Sequence, residues 1–211
     1  MADSLDVRQK IAYAVSVLFH PVFVPLYTVI LYFYVSPRYF LPQNIKFLIF
    51  YLLIVAIIIP LLFFWIMFST RFVSGLSLEN PRERFYLSLV MAIIYFIILN
   101  KIMHYHQYIE LYPFFLGIFL SVLMLSVYNF WGQKPSIHAM SVGGMFVFFV
   151  IWSYYTHRNI LFYLSLIVLT GAIVIATRLY LKAHDGSEII RGLLIGAAGQ
   201  IISFYLALRF F

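Results

Sequence analysis

Long apolar runs separated by short polar stretches dominate this chain. Seven runs stand out: 11–35, 47–68, 85–100, 111–131, 139–156, 159–177 and 192–208. A helix needs about 20 apolar residues to cross the hydrocarbon core of a bilayer. The sixth run, held between Arg158 and Arg178, would reach about 28 Å at the helical rise, close to the hydrocarbon thickness. The pattern therefore predicts an all-α fold, a polytopic transmembrane helical bundle. Run one is interrupted by His20, Pro21 and Pro25, and a proline inside a helix removes a backbone hydrogen bond. It is expected to kink or to re-enter without crossing, so the spans number six or seven. No soluble domain, repeat or low-complexity segment is visible, and residues 1–211 read as a single integral membrane domain.

Composition strengthens this reading. Of 211 residues, 64% are hydrophobic and 10% are charged, whereas a soluble domain carries roughly 25% charged residues. With a mean hydropathy of +1.00, the excess apolar surface must face lipid. Tyrosines near the ends of runs (Tyr32, Tyr34, Tyr39, Tyr154, Tyr155) are expected to form an interfacial belt. Gly192 and Gly196 make a GxxxG step, and Gly143 and Gly144 lie in run five; small residues let helices approach closely in lipid. The absence of cysteine excludes disulfides and thiolate metal sites. Asp3 and Asp6 precede Arg8 and Lys10, unlike the n-region of a signal peptide, so run one is expected to belong to the mature protein. The net charge of +7 does not point to nucleic acid. Its cations sit in short loops, where they would meet membrane lipid headgroups or an anionic substrate.

Three polar clusters interrupt the runs. The first holds Glu79, Asn80, Arg82, Glu83 and Arg84. The second holds Lys134, Pro135, Ser136, Ile137 and His138. The third holds Thr177, Arg178, Lys182, His184, Asp185 and Glu188. Two runs separate each cluster from the next. If each run crosses once, all three emerge on one membrane face and can converge. His184 and Glu188 are four apart, a spacing that puts them on one helical face, where a carboxylate can orient an imidazole. Ser136 is placed to cap the helix of run five, whose amides and dipole would favour an anion, with His138 in its first turn. This inventory suits phosphate. Cations and donors hold the oxyanions, one histidine attacks phosphorus, and the other protonates the leaving oxygen. His20 reads as a packing or interfacial residue. His104, His106 and His157 fall on the other face by parity and receive no role.

At these residues the chain resembles a family. Thr177 and Arg178, five residues, His184, three residues and Glu188 resemble the third signature of the type 2 phosphatidic acid phosphatase (PAP2) superfamily, S-R-x5-H-x3-D. Pro135, Ser136, Ile137 and His138 resemble its second, P-S-G-H. Arg82 and Arg84 stand in the chain order of the first, K-x6-R-P. The resemblance covers about half the chain, 79–192. It implies a divergent bacterial membrane member with a PAP2-like core over about 79–211. Such an enzyme dephosphorylates lipid phosphates with no metal or other cofactor. By motif position His184 would be the nucleophile that forms a phosphohistidine, and Glu188 would orient it. His138 would be the general acid. Arg178, Ser136 and Arg84 would bind phosphate, with Arg82, Lys134 and Lys182 as helpers. Ile137 replaces the signature's glycine, Glu188 replaces its aspartate, and the lysine and proline of the first signature have no counterpart.

Topology is balanced. The motif face carries more lysine and arginine than the other, which the positive-inside rule would place in the cytoplasm. Setting aside Arg82, Arg84, Lys134, Arg178 and Lys182 as candidate ligands removes that excess. The family resemblance favours a periplasmic or outer site in a bacterial inner membrane. Two other readings stand beside the phosphatase: a catalytically altered relative that binds or moves a phospholipid, and a small membrane transporter.

Overall fold

The computed structural model describes residues 6–73, 75, 80–102 and 108–208. Glu79 of the first cluster, and His104 and His106, lie outside the described residues. Among the described residues six helices are long and apolar enough to cross a membrane: α3 (Pro42–Ser69), α4 (Pro81–Asn100), α5 (Tyr112–Phe130), α6 (Ile137–Thr156), α7 (Leu161–Tyr180) and α8 (Gly186–Leu208). Two shorter helices precede them, α1 (Val7–Leu18) and α2 (Val24–Val35).

Local chemistry sets the helix ends. Pro42, Pro81 and Pro113 stand in first turns, where a missing N–H costs nothing. The Asn80 side chain accepts a 3.0 Å bond from the Arg82 amide at the start of α4. After α3, α5, α6 and α7 the chain turns through a left-handed residue: Arg71, Gly132, His157 and Lys182. At α7 the Lys182 amide donates to the Leu179 carbonyl at 3.0 Å and Ala183 to Arg178 at 3.1 Å. These are the paired bonds of a Schellman cap. Within α3 the turn widens to a π-helix over Leu53–Ile58. Pro60 follows directly and lacks the donor that a regular turn would need.

Run one does not form a single span. Pro21 ends α1, the chain turns over residues 19–23, and α2 begins at Val24. At 12 residues, α2 is about 18 Å long, short of the hydrocarbon thickness. The turn before α2 and the C-terminal part of α2 nonetheless meet the two ends of α6. His20 packs edge-on against His138 with ring centres 5.5 Å apart, and Tyr32 against Trp152 at 5.9 Å. Glu110 holds this far end together. It accepts from the Tyr32 hydroxyl at 3.0 Å and from Trp152 Nε1 at 2.7 Å, and pairs with Arg38 at 2.8 Å. Tyr32 is therefore a buried tie rather than part of an interfacial belt. Tyr34, Tyr39 and Tyr154 do face outward.

The bundle centres on α8, which packs on α6 and α5; α4 covers α5, and α7 covers α6. The apolar span of α7 is only 22% buried against 50% for α5, so α7 is a lipid-facing helix and α5 a core one. The tightest contact is α6 on α8. A Cβ at Gly192 would strike the Ser136 carbonyl, and one at Gly196 the Met140 carbonyl. Glycine at these steps lets the two backbones touch, and dispersion at such contacts drives helix association where lipid is as apolar as leucine. Gly196→Ala should therefore lower the melting temperature in detergent, through overpacking worth about 1–3 kcal/mol. Gly196→Leu should abolish folded protein. Gly186→Ala, where a Cβ meets nothing within 4 Å, should leave the melt unchanged.

Candidate active site

The α6–α8 crossing joins the second and third clusters. The Ser136 amide donates to the Glu188 carbonyl at 2.9 Å, which fastens the start of α6 to the first turn of α8. Ser136 is fully buried, and its hydroxyl accepts from the Ala139 amide at 3.4 Å. It is the cap of α6, as the sequence indicated, and its hydroxyl points along its own helix rather than into the neighbouring cavity.

His184 and Glu188 do pair, with Nδ1 and the carboxylate 2.7 Å apart. The expectation of a shared helical face needs correction, because α8 begins at Gly186 and His184 lies in the turn before it. A reciprocal cap brings the two together. Asp185 accepts from the Glu188 amide at 2.8 Å, and the Glu188 carboxylate accepts from the Asp185 amide at 3.3 Å. This is a capping box whose third-position glutamate also takes the histidine proton. The donated bonds from the Glu188 amide and the Ser187 hydroxyl hold the Asp185 carboxyl below its ordinary range, so the cap stays ionised. With Nδ1–H committed to Glu188, the neutral His184 ring carries its lone pair on Nε2.

Burial lowers the affinity of the His184 ring for a proton. The Glu188 hydrogen bond and charge pull the other way, and Arg178 and Lys134 add to the lowering. The net shift is downward, which favours the neutral ring.

A cavity of about 630 Å³ opens beside this pair. Its polar end is lined by Arg84, Lys134, His138, Arg178 and His184, from all three clusters. The parity argument thus holds. Arg84 lies close enough to Glu188 to feel its charge, and its guanidinium donates to the Gln133 carbonyl at 3.4 Å. Arg178 donates through Nη1 to the Ser16 hydroxyl at 3.1 Å, while its buried Nε has no protein partner among the described residues. Arg82 and Lys182 are exposed and do not line the cavity. Lys182 instead occupies the left-handed cap position of α7. Ile137 stands in the cavity wall where the family signature has glycine.

Away from this polar end the cavity is mostly apolar, walled by Met91, Tyr95, Phe114, Ile118, Val122 and Leu125, with Ser88, Ser121 and Gln200 as polar exceptions. A second set of site residues comes from the N-terminal helices. Tyr13, Ser16 and His20 line the same cavity. His20 was not expected there from sequence.

The six apolar helices make this a polytopic integral membrane protein. The chain belongs to the PAP2 superfamily, whose family model matches residues 85–211. No curated protein and no solved structure matches the chain. Membership supports phosphatase-type chemistry and the class of phosphoric ester hydrolases. The second and third clusters fall inside the matched region. Arg82 and Arg84 lie just before it.

The His184 shift has a measurable consequence. Were His184 the nucleophile that the family resemblance implies, kcat/KM would rise with pH as the ring loses its proton, since only a neutral imidazole attacks. The midpoint of that acid limb should lie below about 6.5, the ordinary imidazole value. Glu188→Gln removes the group that raises the proton affinity of the ring. It should move the limb to still lower pH while slowing turnover. An acid limb above the ordinary value in the wild type would contradict the assignment.

Proposed function

We propose that the protein is a membrane lipid-phosphate phosphatase that works through a phosphohistidine and needs no metal. The observation that carries this reading is the meeting of His184, braced by Glu188 at 2.7 Å, with His138 and the cations Arg178, Lys134 and Arg84 around one cavity. His184 Nε2 attacks phosphorus. The phosphorus–oxygen bond to the lipid breaks, and His138, acting in its protonated imidazolium form, gives one ring proton to the departing alkoxide and is left as neutral imidazole. Water then attacks the phosphohistidine, the phosphorus–nitrogen bond breaks back to His184, and His138 recovers a proton from that water. The products are phosphate and the lipid alcohol, or phosphate and the lipid monophosphate where the substrate is a pyrophosphate and the departing group is a phosphate oxygen. Glu188 balances the charge that develops on the His184 ring, while the guanidinium groups hold the equatorial oxygens in a poorly hydrated site. Ser136 contributes by fixing the start of α6, whose dipole favours the anion. Arg82 and Lys182 do not line the cavity and would act on an anionic headgroup only at long range.

The apolar remainder of the cavity fits a substrate with a hydrocarbon tail. Phosphatidic acid, phosphatidylglycerol phosphate and polyprenyl pyrophosphate all satisfy that chemistry. We place the protein in a bacterial inner membrane with the site facing the periplasm. A second reading is a relative that binds or moves a phospholipid without hydrolysing it. It is favoured by Ile137, whose branched side chain stands where phosphate would approach a bare backbone. The transporter reading would require broken helices around a midplane site, whereas the charged groups here gather at helix ends.

Purified protein should release phosphate from one member of this lipid panel in the presence of EDTA. His184→Ala should lower the rate by ~10³-fold or more, and His138→Ala by about 10²–10⁴-fold. Binding without release would favour the phospholipid-binding reading, and release abolished by chelator would refute the metal-free mechanism.

A further inference from the structure

The family match begins at residue 85, yet part of the site comes from α1, far upstream. Ser16 is buried near the end of α1 and engages two site residues at once. Its hydroxyl receives the Arg178 Nη1 bond at 3.1 Å, and its backbone carbonyl lies 3.3 Å from His138 Nε2. A carbonyl can only accept, so His138 Nε2 is the donor. These are the two groups that the phosphatase reading directs at a phosphate oxygen and at the leaving oxygen. Ser16 presents one oxygen to each of them.

We propose that Ser16 is a stand-in for the substrate, an internal latch that phosphate displaces from Arg178 and His138. The proposal rests on the phosphatase reading. Two features of the structure support it. First, the latch is an incomplete match for the guanidinium, because Arg178 Nε is buried with no protein partner among the described residues. A phosphoryl group offers several anionic oxygens, and charge-assisted bonds to them are stronger than one to a neutral hydroxyl. Second, α1 is held to the rest of the bundle by few contacts. It packs chiefly on α7, turns Val7, Ile11, Val17 and Leu18 outward, and joins α2 through the non-helical residues 19–23. The Tyr27 hydroxyl, bonded to the Leu18 carbonyl at 2.9 Å, holds the base of this joint. When Ser16 leaves, the His138 N–H that it held is released to the leaving oxygen. Between turnovers the latch keeps the arginine from standing bare in a poorly hydrated site.

The chain has no cysteine, so Ser16→Cys supplies a single thiol at the latch. Maleimide labelling of this variant should be slow alone and accelerate several-fold at saturating inorganic phosphate, with phosphate binding followed in parallel by calorimetry. Bound phosphate that leaves labelling unchanged, or slows it, would overturn the latch and leave the phosphatase reading standing. Failure of the wild-type protein to bind phosphate would remove both. If Ser16→Cys does not fold, Ser16→Ala gives the same decision by calorimetry. Losing the competing hydroxyl should tighten phosphate binding several-fold, and weaker or unchanged binding would overturn the proposal.

Discussion

The backbones of α6 and α8 touch because Gly192 and Gly196 carry no side chain at the steps facing the Ser136 and Met140 carbonyls. Everything in the candidate site depends on that contact. It brings the N-terminal ends of two membrane helices side by side and lets the Ser136 amide bond the Glu188 carbonyl at 2.9 Å. His138 and His184, 46 positions apart in sequence, thereby line one cavity. Water offers no help in forming such a contact inside a bilayer, where lipid tails compete equally for apolar side chains. Close backbone approach is the interaction that remains.

Polar groups at the edge of a bilayer must find partners or function. Here they are placed in two ways. At the far end Glu110 collects Tyr32, Trp152 and Arg38, a closed structural node that fixes α2 beside α6. At the near end the groups are less fully paired and face a cavity. Arg178 keeps a buried Nε without a protein partner, and His184 has its second ring nitrogen free of the Glu188 bond. That contrast between a satisfied end and an unsatisfied one is the physical basis for locating chemistry at the clusters.

Much of this was legible in the sequence. The apolar runs gave six or seven spans and six of them form among the described residues, because hydrocarbon thickness leaves little choice of helix length; the helix ends were less legible, with the last span starting at Gly186 and not at Gly192. Parity placed the three clusters on one face, and the spacing of Arg178, His184 and Glu188 identified the carboxylate–imidazole pair. Other features depended on local geometry that spacing does not encode. His184 and Glu188 meet across a capping turn, not along a helix face, because Asp185 starts α8 one residue after His184. Ser136 turns its hydroxyl to its own helix, and Lys182 is taken up by the cap of α7. The break at Pro21 was visible, but its consequence was not. It folds α1 back over the site, and nothing in the period of run one indicates that Ser16 would meet Arg178.

The central claim, that His184 braced by Glu188 is the nucleophile of a site shared with His138, is tested most directly by trapping the phosphoenzyme. The experiment is rapid acid-free quenching during turnover of a phosphorus-32 lipid phosphate, followed by peptide mapping. The account predicts an acid-labile, base-stable label on the peptide that holds His184, absent when His184→Ala is treated in the same way. Turnover without any label on His184, or with the label on another residue, would contradict it.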